Sequence, residues 1–115
     1  MKQKLIFFTL LVLLSIRTFA ADITCTDLAK AIAAEMGDEP FVVRVVYGEM
    51  LINRLSEEPL PKSSATPTDS DMRAAAAALS GIDFSGGALN VQKLDKKSIP
   101  PVLSGGIRLY NWYFY

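Results

Sequence analysis

The chain has 115 residues with 12 basic and 12 acidic side chains, one cysteine and no histidine. That length suits a single domain. A lone cysteine excludes an internal disulfide, and the lack of histidine excludes a Cys–His nucleophile pair and leaves a zinc ion without its usual ligands.

Lys2 and Lys4 give a basic start, and an apolar stretch follows from Leu5 to Ile16, broken only by Thr9 and Ser15. Thr18-Phe19-Ala20 then sets small residues three before and one before a cut after Ala20. This is the order of a secretory signal peptide over residues 1–20. A membrane anchor is the alternative, but a hydrocarbon core needs about 20 apolar residues. Removing the leader takes away Lys2, Lys4 and Arg17, leaving 9 basic against 12 acidic residues, a net charge of −3. Such a balance argues against nucleic acid as a partner. The expected product is a single domain over 21–115, secreted or held in the cell envelope and not membrane-spanning once processed.

Cys25 follows Asp22-Ile23-Thr24, which does not resemble a lipoprotein cleavage box. It reads as a small apolar residue near a helix start. Thr24 and Asp27 have the spacing of a capping box, and a helix is expected over 27–36. Its apolar arc holds Leu28, Ala29, Ile32, Ala33 and Met36, and Gly37 stops it. Asp38-Glu39-Pro40 opens a second helix, Phe41 to Leu55, apolar on nearly every side and therefore central and buried. Ser56–Ser70, with three prolines and a Ser/Thr cluster, reads as a surface linker. Thr68 or Ser70 caps a third helix over 71–80, whose alanine run favours helix. Gly81 ends it. Ala88–Val91 is expected as a short strand and Ile107–Tyr115 as a final strand that pairs with it. The fold class is α+β: about three helices, then a short C-terminal hairpin or sheet.

Two carboxylates stand out. Glu35 lies about 20° from Leu28 around the helix, so it borders the apolar arc. Partial desolvation there raises a carboxyl pKa, as a general acid for glycosidic cleavage requires. The competing reading is an ordinary acidic residue at a helix edge. Glu49 sits inside the most apolar helix, four residues before Asn53. It is either a second catalytic carboxylate or a structural group bonded to Asn53 or paired with Arg54 or another arginine. Asp38 and Glu39 are explained as helix-opening residues. The terminal aromatics either stack on sugar rings or serve as core. Strand alternation sends Asn111, Tyr113 and Tyr115 to one face and Trp112 and Phe114 to the other.

Three ordered blocks carry a resemblance. Ala29-Lys30-Ala31-Ile32-Ala33-Ala34-Glu35-Met36-Gly37-Asp38-Glu39-Pro40-Phe41 runs on to Leu51-Ile52-Asn53-Arg54-Leu55. Arg73-Ala74-Ala75 leads through Ala78-Leu79-Ser80-Gly81 to Asp83-Phe84-Ser85-Gly86-Gly87-Ala88-Leu89. The chain closes on Asn111-Trp112-Tyr113-Phe114-Tyr115. Together they resemble the spore cortex-lytic cell-wall hydrolases, in shortened form. The resemblance implies a lysozyme-like α+β domain that acts on peptidoglycan glycan strands without cofactor or metal. It implies lytic transglycosylation, in which Glu35 serves as general acid and then base at the bond between N-acetylmuramic acid and N-acetylglucosamine. Asn111, Tyr113 and Tyr115 are the candidate substrate-binding residues. The chain departs from the pattern at Ala34, where the family has glycine, at Glu49, where it has a small apolar residue, and at Trp112, where it has histidine. The segment between Asn53-Arg54 and the third helix is also shorter. A cleft shortened in this way fits either an envelope protein partner or the alternative reading, a non-catalytic wall-binding accessory protein of the same fold.

Overall fold

A computed structural model describes residues 24–94 and 106–115. The expected leader over 1–20 lies outside them. Three helices form first: α1, Cys25–Met36; α2, Phe41–Asn53, continued by a 3-10 turn at Arg54–Ser56; and α3, Asp69–Leu79. Three short strands follow: β1, Val91–Lys93; β2, Ile107–Leu109; and β3, Trp112–Phe114. Over the described residues the fold is therefore α+β, three helices and a small antiparallel sheet.

The Thr24 hydroxyl accepts the Asp27 N–H at 3.1 Å and so caps α1, which begins two residues before the expected start. α1 buries Leu28, Ala29, Ala31, Ile32 and Met36. Cys25 is partly buried against the core, and its thiol lies 3.5 Å from the Met72 carbonyl oxygen. α2 buries Val43 and every residue from Val45 to Leu51. Fully burying side chains of this kind stabilises by roughly 1.5–3 kcal/mol each. That outweighs the few tenths of a kcal/mol by which each valine disfavours helix.

The three helices converge at Gly48. A Cβ there would stand 3.0 Å from both the Ala78 Cβ and the Ile32 Cδ1. The alanines of α3 work to the same end, since Ala74, Ala75 and Ala78 are its buried apolar residues. Thr68 and Asp71 form a reciprocal capping box at the start of α3. Asp71 also takes a 2.9 Å bond from the Arg44 guanidinium of α2, so one buried carboxylate both caps α3 and ties it to α2. Burial alone would raise its pKa. The Thr68 N–H and hydroxyl and the Arg44 guanidinium together hold it below the ordinary value.

The sheet corrects the expectation of one long final strand. The segment 107–114 folds back on itself at Tyr110-Asn111, pairing Leu109 with Trp112 and Ile107 with Phe114. Tyr110 takes φ 55°, a region uncommon for a residue other than glycine. β3 lies in the middle, with β1 on its other side and Val91 opposite Phe114. The first strand is Val91–Lys93, later than the expected 88–91, although the Leu89 and Asn90 N–H groups still bond the Tyr115 carbonyl at 3.0 and 2.8 Å. Alternation around β3 is as expected. Phe114 is fully buried in the core and Trp112 packs against it, while Tyr113 and Tyr115 stack on the other face with ring centroids 5.5 Å apart. In the linker, Leu60 packs against the core, so that segment is anchored at one point.

Candidate functional site

Glu35 sits one residue before the end of α1, and its side chain is exposed. The expected partial desolvation is not found. The apolar arc ends short of it, and the next residue, Met36, takes the buried position. Glu35 makes no hydrogen bond or ion pair among the described residues. Its charge nevertheless reaches the buried Tyr47 phenol of α2. That phenol is pushed up to about 12, by burial first and the Glu35 charge second, with Arg54 acting in the opposite direction. The ends of α1 and α2 thus bring Glu35, Tyr47 and Arg54 into one electrostatic neighbourhood. Arg54 is also ion-paired with Glu58, one helical turn further on.

The sheet carries the other candidates. Asn111 is exposed in the hairpin turn, and its carbonyl accepts the Leu94 N–H at 2.6 Å. Tyr113 is buried and Tyr115 is 43 % exposed, so the stacked pair presents one free ring and one covered ring. The covered ring lies against Gly106, where a Cβ would overlap the Tyr113 hydroxyl. α2 packs against β3. One groove, about 450 Å³, is lined by Asp27, Lys30, Leu55 and the segment Pro59 to Ser63. A second, about 330 Å³, lies beside Leu51, Arg54, Glu58 and the same prolines. Neither is lined by Glu35.

Glu49 is 2 % exposed and anchors a polar cluster that the sequence did not announce in full. It does not pair with Asn53 or an arginine. Its Oε2 accepts the Phe84 N–H at 2.5 Å, and its carboxyl lies within hydrogen-bond reach of Asp83. Asp83 accepts the Ser85 N–H at 3.0 Å, the Ser85 hydroxyl, the Gly87 N–H at 2.9 Å and the Asn53 amide at 3.2 Å. Asn53 also donates to the Ser85 hydroxyl oxygen and the Ala88 carbonyl, each at 3.1 Å. Gly86 and Gly87, at φ 65° and 83°, give the loop the left-handed turns that bring these N–H groups round to one carboxylate. Burial would raise the Asp83 pKa, but the Ser85, Asn53 and Gly87 donors hold it below the ordinary value. Glu49 moves the other way, up to about 7, mainly through burial and with Asp83 adding to it, against the Phe84 N–H. A pocket of about 120 Å³ opens beside Glu49, Asn53, Asp83 and Ala78. Asp-x-Ser-Gly-Gly is a turn signature, and reading it against Asn53 would have pointed to this cluster.

Comparison with protein-family models, with curated proteins and with solved structures returns no match to this chain. Among the described residues no helix is long and apolar enough to cross a membrane, and no group of His, Cys, Asp and Glu is placed to hold a metal ion.

Proposed function

We propose that this chain is an exported peptidoglycan-cleaving glycosidase of the lytic transglycosylase type, with Glu35 as its single acid and base. The observation that carries the reading is a carboxylate with no hydrogen-bond or ion-pair partner among the described residues, held at the surface by a well-packed helix at the position the ordered motif blocks assign to the catalytic glutamate. A partnerless carboxylate is free to bond a glycosidic oxygen. Seating a glycan strand over it removes water from one side, which disfavours the ionised form and prepares the group to donate. Glu35 then protonates the oxygen that links N-acetylmuramic acid to the next sugar. The resulting carboxylate takes the proton of the muramyl 6-hydroxyl as that oxygen closes the anhydro ring. The nucleophile belongs to the substrate, so no second carboxylate is required. The exposed ring of Tyr115, stacked on Tyr113, offers an aromatic face of the kind that packs against sugar rings.

A second reading is supported by the absence of Glu35 from the grooves described above: a non-catalytic wall-binding protein that uses the same aromatic face. Glu35→Gln separates the two. For the enzyme, the variant still sediments with insoluble wall but releases no soluble muropeptide, whereas the chain beginning at Ala21 does both. For the binding protein, wild type and variant sediment alike and neither releases product.

A further inference from the structure

The Glu49 Oε1 is a buried oxygen with no hydrogen-bond donor among the described residues. Its neighbour is a second carboxylate, Asp83, whose own oxygens are supplied by Asn53, Ser85 and Gly87. Asp83 is exposed and stays ionised, whereas a carboxylate buried beside it, as Glu49 is, does not stay ionised unless a cation stands between them. Among the described residues no lysine or arginine does. Arg44 is committed to Asp71 and Arg54 to Glu58. From α3 the pocket receives Ala78, from α2 Ile52 and Asn53, and from the loop Gly81, Ile82 and Asp83, so Asp83 is the only charged neighbour of Glu49 among the described residues that line it. A proton on Glu49 resolves this: it turns one orphaned acceptor into a donor toward Asp83, while Oε2 keeps the Phe84 N–H. We propose that Glu49 and Asp83 share one proton in the folded protein, and that this proton is the catch that holds the Gly81–Ala88 loop on α2.

The consequence is a pH-sensitive loop. With the proton in place, Glu49 grips the loop at Asp83 and Phe84. Without it, the buried Glu49 anion and the exposed Asp83 anion repel across the same contact. The strength of the Glu49 shift, up to about 7, puts that release near neutrality. Ile82 and Phe84, 60 % and 62 % exposed, ride on this loop, which leads on to β1. The device is independent of whether Glu35 cleaves glycan.

The test is carboxyl-carbon NMR of the full chain labelled at glutamate, followed from pH 4 to 9 together with the Phe84 amide proton. The Glu49 carboxyl is expected to titrate at least 1.5 pH units above the ordinary glutamate value of 4.5, and the Phe84 amide to shift with the same midpoint. In Glu49→Gln, whose amide mimics the protonated acid, the Phe84 amide should hold the low-pH wild-type position throughout. In Asp83→Asn, the Glu49 midpoint should fall by more than one unit. If Asp83→Asn unfolds, the comparison of wild type with Glu49→Gln carries the test alone. The proposal is overturned by a Glu49 midpoint among those of the exposed glutamates, by a Phe84 amide insensitive to it, or by a midpoint that moves with calcium concentration, which would assign the compensating charge to a cation.

Discussion

Glu35 and Glu49 lie fourteen residues apart, and burial gives them opposite characters. Glu35 is exposed and, among the described residues, without a hydrogen-bond or ion-pair partner; Glu49 is 2 % exposed and held by the Phe84 N–H. Periodicity placed Glu35 at the rim of the apolar arc. It could not tell inside from outside, because a rotation of about 20° is smaller than the arc's own width. Glu49 was legible as an anomaly but its partners were not, since Asp83 and Phe84 stand more than thirty positions away and meet it only through the loop. Asp71 was invisible as a buried ion pair, because its place at a helix start already explained it. Removing that carboxylate leaves the Arg44 guanidinium buried and uncompensated and deprives Thr68 of its reciprocal bond. Asp71→Ala should therefore destabilise the fold by about 3–5 kcal/mol in urea unfolding. Pairing it with Arg44→Met should recover part of that loss.

All three helices were legible to within about two residues at each end, because alternating apolar faces, Thr caps and glycine stops act locally. Contacts between elements were less so. Gly48 looked like an unremarkable residue in an apolar helix, yet it is the point where α1, α2 and α3 come closest. Gly48→Val should push Ile32 and Ala78 apart and lower stability by about 1–3 kcal/mol, seen as a drop in thermal midpoint with helical content retained. The final strand was misjudged because its turn carries Tyr110 and Asn111 and no glycine. Replacing Tyr110 by glycine should relieve the positive φ, and is expected to raise stability by about 0.5–1 kcal/mol unless the exposed ring itself packs on a ligand.

At the scale of the molecule, three carboxyls with shifted pKa values, the buried Asp71 and Glu49 and the exposed Asp83, set how stability follows pH. Asp71 and Asp83 have folded pKa values below their ordinary ones, so their stabilisation is present above the ordinary range and is lost as pH falls through the folded values. Glu49 has the opposite sign. Its folded value, about 7, lies above the ordinary 4.5, so its contribution is full below 4.5 and fades as pH rises through 7. Over that window the loss is roughly 3 kcal/mol. Thermal unfolding should show greatest stability near pH ~5 and a decline toward pH ~8. In Glu49→Gln that decline should be largely absent.

In the proposed function Glu35 cleaves glycan with the substrate's own hydroxyl as nucleophile. Mass spectrometry of the products released from purified peptidoglycan tests it most directly. Anhydro-muropeptides from the wild-type chain, absent with Glu35→Gln, are the expected result. Reducing-end muropeptides would contradict it by making water the nucleophile, and identical products from both proteins would remove Glu35 from the chemistry altogether.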